Sequence, residues 1–203
     1  MEHPSRSADR QQLVQVIRGL QASYTQVRVA IDGPCASGKS TLAQWLGRQL
    51  GCPVLRMDDF FLTPDLRTPQ RLAKPGENVD HERFFAQVLH PLCQGRPARF
   101  RPWDCHAGDF APEQTVAPCP LFITEGVYSL RPDLRDFYQL KIWVQADWPT
   151  RRQRLLDRGG EGCLARFEEL WIPLEDAYFA AFHVEECCDY VISGTSCGET
   201  PTP

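Results

Sequence analysis

Hydrophobic and polar residues follow two different periods along the chain, and together they predict an ordered succession of helices and strands. Leu13, Ile17 and Leu20 recur at the spacing of one helix face, whereas apolar residues alternate within residues 27–32 as in a strand. Helices are predicted over residues 7–23, 39–50, 81–93, 149–158 and 165–182, and strands over residues 27–32, 53–57, 121–124, 141–144 and 190–192.

Strands that alternate with helices predict an α/β fold around a mostly parallel sheet. Residues 95–120 interrupt this alternation because Pro and polar residues become frequent there, with extended pieces near Phe100 and Val116. We interpret this segment as an insertion over one edge of the sheet, within a single domain of residues 1–193. Residues 194–203 are predicted to form a flexible tail.

The composition excludes several classes of protein. The 203 residues carry a formal net charge of −4 and 42% of them are hydrophobic, which argues against a disordered chain and against a general nucleic-acid binder. No apolar run approaches the ~20 residues of a membrane span. Of the 22 basic residues, 19 are Arg and 3 are Lys. Arg is favoured in phosphate-binding sites, but a compositional bias of the organism would give the same ratio.

The nine cysteines include no C-x-x-C pair, and the five histidines do not complete a zinc-binding spacing. The polar opening sequence MEHPSRSADRQQ carries acidic residues and is typical of neither a signal peptide nor a transit peptide. These observations predict a cytoplasmic protein with free thiols.

The strongest chemical signal is GPCASGKS, residues 33–40, which matches the phosphate-binding pattern G-x-x-x-x-G-K-[ST] at every fixed position. Its glycines allow the backbone to curl so that successive N–H groups point at phosphate oxygens, and the helix that follows adds its dipole. Lys39 is expected to reach the β- and γ-phosphates, and Ser40 to bind Mg²⁺. The predicted donor-binding residues are Gly33, Ala36, Ser37, Gly38, Lys39, Ser40 and Thr41.

Acidic residues follow two of the predicted strands and are therefore expected at the ligand-binding edge of the sheet. MDDFF places Asp58 and Asp59 there, and LFITEG places Glu125 there. Asp58 is our candidate for the catalytic base that accepts a hydroxyl proton, with Asp59 as the substitute. Ser40, Glu125 and Asp58 are the candidate ligands of Mg²⁺. The alternative is that these acids are ordinary solvated residues at strand ends.

RRQRLLDR carries Arg151, Arg154 and Arg158 on one face of a predicted helix, and three glycines follow within residues 159–162. An Arg-bearing helix joined to a flexible segment can close over a transferring phosphate and neutralise its charge. A solvated helix face paired with neighbouring Asp residues is the alternative. With a small lid over residues 151–166, the sequence predicts a three-layer P-loop NTPase fold with helices on both faces of the sheet.

Two motifs are missing from the sequence, and their absence disfavours two classes of P-loop protein. Guanine specificity in GTPases commonly rests on N-K-x-D, but the only Asn in the chain is Asn78, which Val79 follows. No LSGGQ-like signature supports a transporter ATPase. With GTPases and transporter ATPases disfavoured, the sequence predicts a small kinase.

In these motifs the chain resembles the uridine kinase family, within the wider group that includes phosphoribulokinase and pantothenate kinase. The resemblance covers residues 27–193. It implies that Asp58 in MDDFF corresponds to the family's catalytic Asp, and that Asp80 in ENVDHERFF contacts ribose hydroxyls. ITEGVYSL and VQADWPTRRQRLLDR resemble the family's strand end and its strand-and-lid segment, which carry Glu125 and the three arginines.

The resemblance also implies how an acceptor would be held. The family reads a pyrimidine base with an aromatic residue and a His in the region that corresponds to RFRPWDCHAGDF. Trp103 and His106 are therefore the candidates, together with Phe61 of the catalytic segment. The spacing in this region departs from the family's usual one, and an exposed loop His is the alternative for His106.

The sequence thus predicts an ATP-dependent kinase that uses Mg²⁺ and transfers the γ-phosphoryl group to a hydroxyl, most readily the 5′-hydroxyl of uridine or cytidine. Kinases for pantothenate, nicotinamide riboside or a sugar phosphate are the alternatives within the same class. An ATP-binding switch module without kinase activity is the alternative from another class. The expected partners are ATP and a small-molecule acceptor, with no nucleic acid and no membrane.

Overall fold

The computed structural model describes residues 6–194, and its centre is a sheet of parallel strands. The strands are β1 (Arg6–Ser7), β2 (Val27–Asp32), β3 (Val54–Arg56), β4 (Ala98–Phe100), β5 (Trp103–Asp104), β6 (Asp109–Phe110), β7 (Gln114–Val116), β8 (Leu121–Glu125), β9 (Leu140–Gln145) and β10 (Tyr190–Ser193). Six of them form the sheet in the order β1-β10-β9-β2-β8-β3, with every neighbouring pair parallel. The predicted α/β architecture is confirmed. The two-residue strand β1 was not predicted because so short a segment carries no periodic signal.

The helices are α1 (Arg10–Ser23), α2 (Lys39–Leu50), α3 (Pro69–Leu72), α4 (His81–Phe84), α5 (His90–Cys93), α6 (Trp148–Arg166) and α7 (Ile172–Phe182). Wide π-type turns at Phe85–Leu89 and Phe167–Trp171 join α4 to α5 and α6 to α7. Both α5 and α7 carry Pro in their first turn, where its missing N–H is tolerated. The first helix begins three residues later than predicted, because the Asp9 side chain caps it by accepting the Gln12 N–H.

Apolar residues of the central strands alternate between two hydrophobic clusters, one on each face of the sheet. Ile31 packs in one cluster with the apolar sides of α1 and α2, and its neighbour Ala30 packs in the other with Phe84 and Tyr178. Successive side chains of a strand point to opposite faces, so both faces are covered. Burial of each large apolar side chain contributes about 1.5–3 kcal/mol. The three-layer arrangement is therefore the one that the sequence predicts.

The predicted insertion consists of two nested antiparallel pairs, β4 with β7 and β5 with β6. The extended pieces near Phe100 and Val116 are thereby confirmed. Phe100 attaches the insertion to the domain, because its ring lies 5.3 Å from the ring of Phe60, which is buried. Further along the insertion, β5 contacts residues Met57–Phe60, which directly follow β3.

The segment predicted as a lid consists of two helical stretches joined at a glycine break. Gly159 (φ −158°) and Gly160 (φ 70°) are not helical, and the helical backbone resumes after them and continues to Arg166. The break that the sequence predicts after Arg158 is therefore confirmed, and it is shorter than predicted. None of the helices formed by residues 6–194 combines the length and the apolarity that a membrane crossing requires. The predicted tail lies outside the described residues, except for Gly194.

Candidate active site

The phosphate-binding loop, residues 33–40, connects β2 to α2 in a tight curl. Gly33 has a φ of 138°, and a Cβ atom there would lie 2.2 Å from the carbonyl oxygen of Val144. Gly38 caps α2 with a φ of 107°. Because other residues rarely adopt these angles, the two fixed glycines of the motif are required by the backbone itself.

Lys39 is buried at the start of α2, and its ammonium group bridges the loop. Its Nζ donates to the carbonyl oxygens of Gly33 at 2.7 Å and of Pro34 at 2.8 Å. The positive charge is therefore held at the loop whose N–H groups the motif assigns to phosphate.

Two arginines of α6 brace the same loop from outside. Arg151 donates from Nε to the carbonyl oxygen of Cys35 at 2.8 Å, and Arg154 donates from Nη1 to Ala36 and Ser37 at 3.0 and 3.1 Å. Each bond satisfies a backbone carbonyl of the curled segment. Arg151 and Arg154 thus fix the shape of the loop, a role that the helix pattern did not suggest, and their role toward phosphate stays a prediction.

Asp32, at the end of β2, is a structural residue that the sequence analysis missed. Its carboxylate accepts the N–H groups of Gly33 at 2.7 Å and Leu130 at 3.0 Å and the hydroxyl of Tyr178 at 2.9 Å. Burial raises the pKa of Asp32 to about 6. An acid directly before the first motif glycine, at the end of an apolar strand, was the available signal.

The predicted Mg²⁺ ligands meet at the ends of β3 and β8. The Ser40 hydroxyl donates to Glu125 Oε2 at 3.1 Å, and the Arg56 guanidinium lies 3.7 Å from Glu125 and 4.0 Å from Asp58. Burial, followed by the negative charge of Asp58, raises the pKa of Glu125 to about 6. A hydroxyl and two carboxylates are the oxygen donors that Mg²⁺ prefers, so these residues fit the ion.

A cleft of about 1410 Å³ runs along this edge of the sheet and gathers most of the predicted site residues. The predicted residues that line it are Ala36, Gly38, Lys39, Ser40, Thr41, Asp58, Phe61, His106, Glu125, Arg154 and Arg158. Those that do not line it are Gly33, Ser37, Asp80, Trp103 and Arg151. Asp59 is also outside the lining, and burial raises its pKa, so Asp58 is the better placed of the two acids.

Asp80 and Trp103 are engaged elsewhere in the fold. The Asp80 carboxylate caps α4 by accepting the N–H of Arg83 at 3.0 Å, and it also lies 3.3 Å from Nε of the same residue. The Arg83 guanidinium in turn lies over the ring of Phe60 at 4.4 Å. The Trp103 ring packs edge-on against Phe110. The structure thus places both residues in packing contacts beside the cleft, and their predicted contacts with an acceptor remain predictions.

Other residues line the cleft without having been predicted, among them Asn78, Tyr128, Arg67 and Trp171. Burial raises the pKa of the Tyr128 hydroxyl, which forms a side-chain hydrogen bond with Asn78. These residues come from separate segments of the chain and share no motif. No sequence signal could have grouped them.

Comparison with solved structures gives the same fold. A possible uridine kinase from Bacillus stearothermophilus is 20% identical with a TM-score of 0.63, covering 89% of this chain and 99% of that one. A proposed fructose transport system kinase from Silicibacter sp. TM1040 is 24% identical with a TM-score of 0.66, covering 83% and 94%. A proposed P-loop kinase with a circular permutation from Saccharomyces cerevisiae is 12% identical with a TM-score of 0.57, covering 90% and 94%.

No protein-family model and no curated protein sequence matches the chain. The three structures named above are each below 25% identity, so what they establish is the architecture. The predicted P-loop kinase fold, including its resemblance to the uridine kinase fold, is confirmed at that level.

Proposed function

We propose that this chain, which shares its fold with P-loop kinases, is an ATP-dependent kinase that transfers the γ-phosphoryl group to a hydroxyl of a small molecule. One observation carries the proposal. The phosphate-binding loop and the carboxylates of Asp58 and Glu125 open into the same cleft. A loop that holds a phosphate chain beside a carboxylate is the arrangement that phosphoryl transfer to an alcohol requires.

In this proposal each residue has a stated role, and Asp58 has two. The loop N–H groups and Lys39 bind the phosphate chain of ATP, and Asp58 accepts the proton of the acceptor hydroxyl as its oxygen attacks the γ-phosphorus. Ser40, Glu125 and Asp58 would hold Mg²⁺, which supplies charge neutralisation when bound. Arg154 and Arg158 add positive charge from α6, and the bend at Gly159 and Gly160 allows the rest of the helix to close over the cleft.

The first acceptors to test are uridine and cytidine, at their 5′-hydroxyl. The support for them is the resemblance to uridine kinases, together with Phe61 and His106, which line the cleft with Asp58. Asp80 supports a nucleoside less directly, because Arg83 already engages its carboxylate.

A second class of acceptor is favoured by Arg67. Its guanidinium lies over the indole of Trp171 at 4.7 Å, and both residues line the cleft. Nearby Arg71 pairs with Glu77 and Glu82, whereas within residues 6–194 no such carboxylate pair is formed by Arg67. A guanidinium with unused donors is suited to a carboxylate or phosphate, which favours pantothenate or a sugar phosphate over a neutral nucleoside.

A coupled assay of ADP release against a panel of acceptors tests the proposal. The panel contains uridine, cytidine, pantothenate, nicotinamide riboside and sugar phosphates, and Lys39→Ala serves as the inactive control. Acceptor-dependent release above the rate without acceptor is expected. If pantothenate or a sugar phosphate stimulates release while uridine and cytidine do not, the nucleoside assignment is wrong and the kinase proposal stands.

ATP binding with no acceptor-stimulated release across the panel would instead favour the switch module. That protein would bind ATP, hydrolyse it slowly and respond to a partner. Equilibrium binding of a fluorescent ATP analogue, measured on the same preparation, separates this outcome from a protein that does not bind ATP.

A further inference from the structure

Glu175 is a buried carboxylate that reaches the phosphate-binding loop from a distant part of the chain. It lies in the first turn of α7, is 5% exposed and lines the cleft. Its Oε2 accepts the backbone N–H of Cys35, in the middle of the loop, at 2.8 Å. A backbone N–H in the middle of the phosphate-binding loop is therefore bonded to a carboxyl group of the protein itself.

A carboxylate oxygen and a phosphate oxygen are the same kind of partner for a backbone N–H, since both are anionic acceptors. Burial raises the pKa of Glu175, and the charges of Lys39 and Arg151, together with the hydrogen bond from the Cys35 N–H, act in the opposite direction and favour its ionised form. The cations that stabilise the Glu175 carboxylate are thus the ones on which a phosphate chain also depends.

Asp32 shows what a purely structural carboxylate looks like in this fold. Its oxygens accept from Gly33, Leu130 and Tyr178, and it does not line the cleft. Glu175, in contrast, lines the cleft, and the hydrogen bond it receives comes from Cys35 in the middle of the loop. The two acids therefore differ in whether a bound phosphate chain would meet them.

We propose that Glu175 is an intramolecular competitor for the phosphate chain of ATP, and that nucleotide binding displaces it from the Cys35 N–H. The inference rests on the proposed function, in that the loop binds a nucleotide. Like charges repel at short range, so an incoming triphosphate and the Glu175 carboxylate disfavour each other. Binding is then weaker than the loop alone would allow.

Displacement of Glu175 also acts on the lid. The start of α7 belongs to a small apolar cluster in which Ile172 and Phe167 pack with Leu164 of α6 and with Cys35. Because this cluster joins the loop to the segment after the glycine bend, release of Glu175 loosens the contact between them. The competitor thereby couples occupation of the loop to movement of α6 and α7.

The test compares Glu175→Gln with the wild type in binding of inorganic tripolyphosphate and of ATP, measured by calorimetry. Gln retains the shape and removes the charge, and charged hydrogen bonds are roughly twice as strong as neutral ones, so we expect affinity for both ligands to rise about tenfold. Asp32→Asn is the matched control and should not raise either affinity. Unchanged or weaker binding by Glu175→Gln, or an equal gain in Asp32→Asn, overturns the proposal.

A second measurement uses the wild-type protein and decides the question should Glu175→Gln fail to fold. Hydrogen–deuterium exchange of the peptide covering α7 is followed before and after tripolyphosphate is added. Faster exchange is expected because Glu175 is released, and unchanged or slower exchange contradicts the proposal. Neither experiment requires turnover, so a protein that binds tripolyphosphate and releases no ADP with any acceptor contradicts the proposed function alone.

Discussion

The two sides of the cleft are built in different ways. The proposed donor side is a contiguous loop, residues 33–40, whose shape follows from its glycines and whose backbone N–H groups are the predicted phosphate ligands. The proposed acceptor side is assembled from side chains of separate segments, including Asp58, His106 and Trp171. The fixed positions of the loop could be assigned from a motif, whereas two of the four predicted acceptor residues, Asp80 and Trp103, are engaged with other residues of the fold.

The difference shows which kind of site can be predicted from a sequence. A site made of backbone N–H groups needs only glycines at the few positions where φ is positive. Because those positions are close together in the sequence, a motif can identify them. A site made of side chains depends on which segments lie next to each other and which rotamers their side chains adopt. Both are determined by tertiary packing. The predictions below test whether this contrast between the two sides holds in the working protein.

The largest expected effect is the loss of turnover on substitution of Asp58, which lies between the proposed donor and acceptor sides. Asp58→Asn should lower acceptor-dependent turnover by ~10² or more, because a general base is lost, while the affinity for ATP changes little. Asp59→Asn, at the neighbouring position outside the cleft lining, is the matched control and should retain most of the turnover. Steady-state rates and ATP binding are measured on both variants, and full turnover in Asp58→Asn would remove the catalytic assignment.

The pH dependence of the Mg²⁺ affinity tests the role of Glu125 at the proposed donor side. The pKa of Glu125 is raised to about 6, so its carboxylate is ionised at pH 7 and gains a proton as the pH falls through 6. The ionised form is the one that binds a cation, and Mg²⁺ affinity should therefore fall roughly tenfold from pH 7 to pH 5. The difference between wild type and Glu125→Gln removes the titration of the nucleotide itself. Equal slopes in the two proteins would contradict the role of Glu125.

At the proposed acceptor side, a substitution of Asp80 distinguishes a role in stabilising the fold from a role in binding the acceptor. Because its carboxylate caps α4, Asp80→Ala should cost about 0.5–2 kcal/mol of stability. A thermal or urea melt measures this loss. The resemblance to uridine kinases predicts in addition a higher KM for a nucleoside, so an unchanged KM with a lowered melting temperature would show that Asp80 is a structural residue here.

The smallest expected effect compares two aromatic residues. Phe61 lines the cleft and Trp103 does not, so Phe61→Leu should raise the acceptor KM by about fivefold, the loss expected for one ring contact. Trp103→Leu should change the KM by less than about twofold. Steady-state kinetics with the acceptor identified in the panel provide both values, and the reverse order would restore Trp103 as the base-reading residue.

Much of the fold could be predicted because its signals are local. The five predicted strands and the long helices follow from apolar periodicity, and each is present in the sheet order β1-β10-β9-β2-β8-β3 or packed against it. The differences are small and lie at the ends of elements. The Asp9 cap moves the start of α1 by three residues, and the predicted break at Gly159 and Gly160 is shorter than expected.

The sequence by itself determined the α/β order, the phosphate-binding loop and the two carboxylates at strand ends, because each depends on neighbours in the chain. Only the tertiary structure decided that Arg151 and Arg154 brace the loop and that Glu175, 140 residues from Cys35, bonds to its backbone. These partners are distant in sequence, and their pairing follows from burial, since a buried polar group must find a hydrogen bond wherever the packed chain offers one.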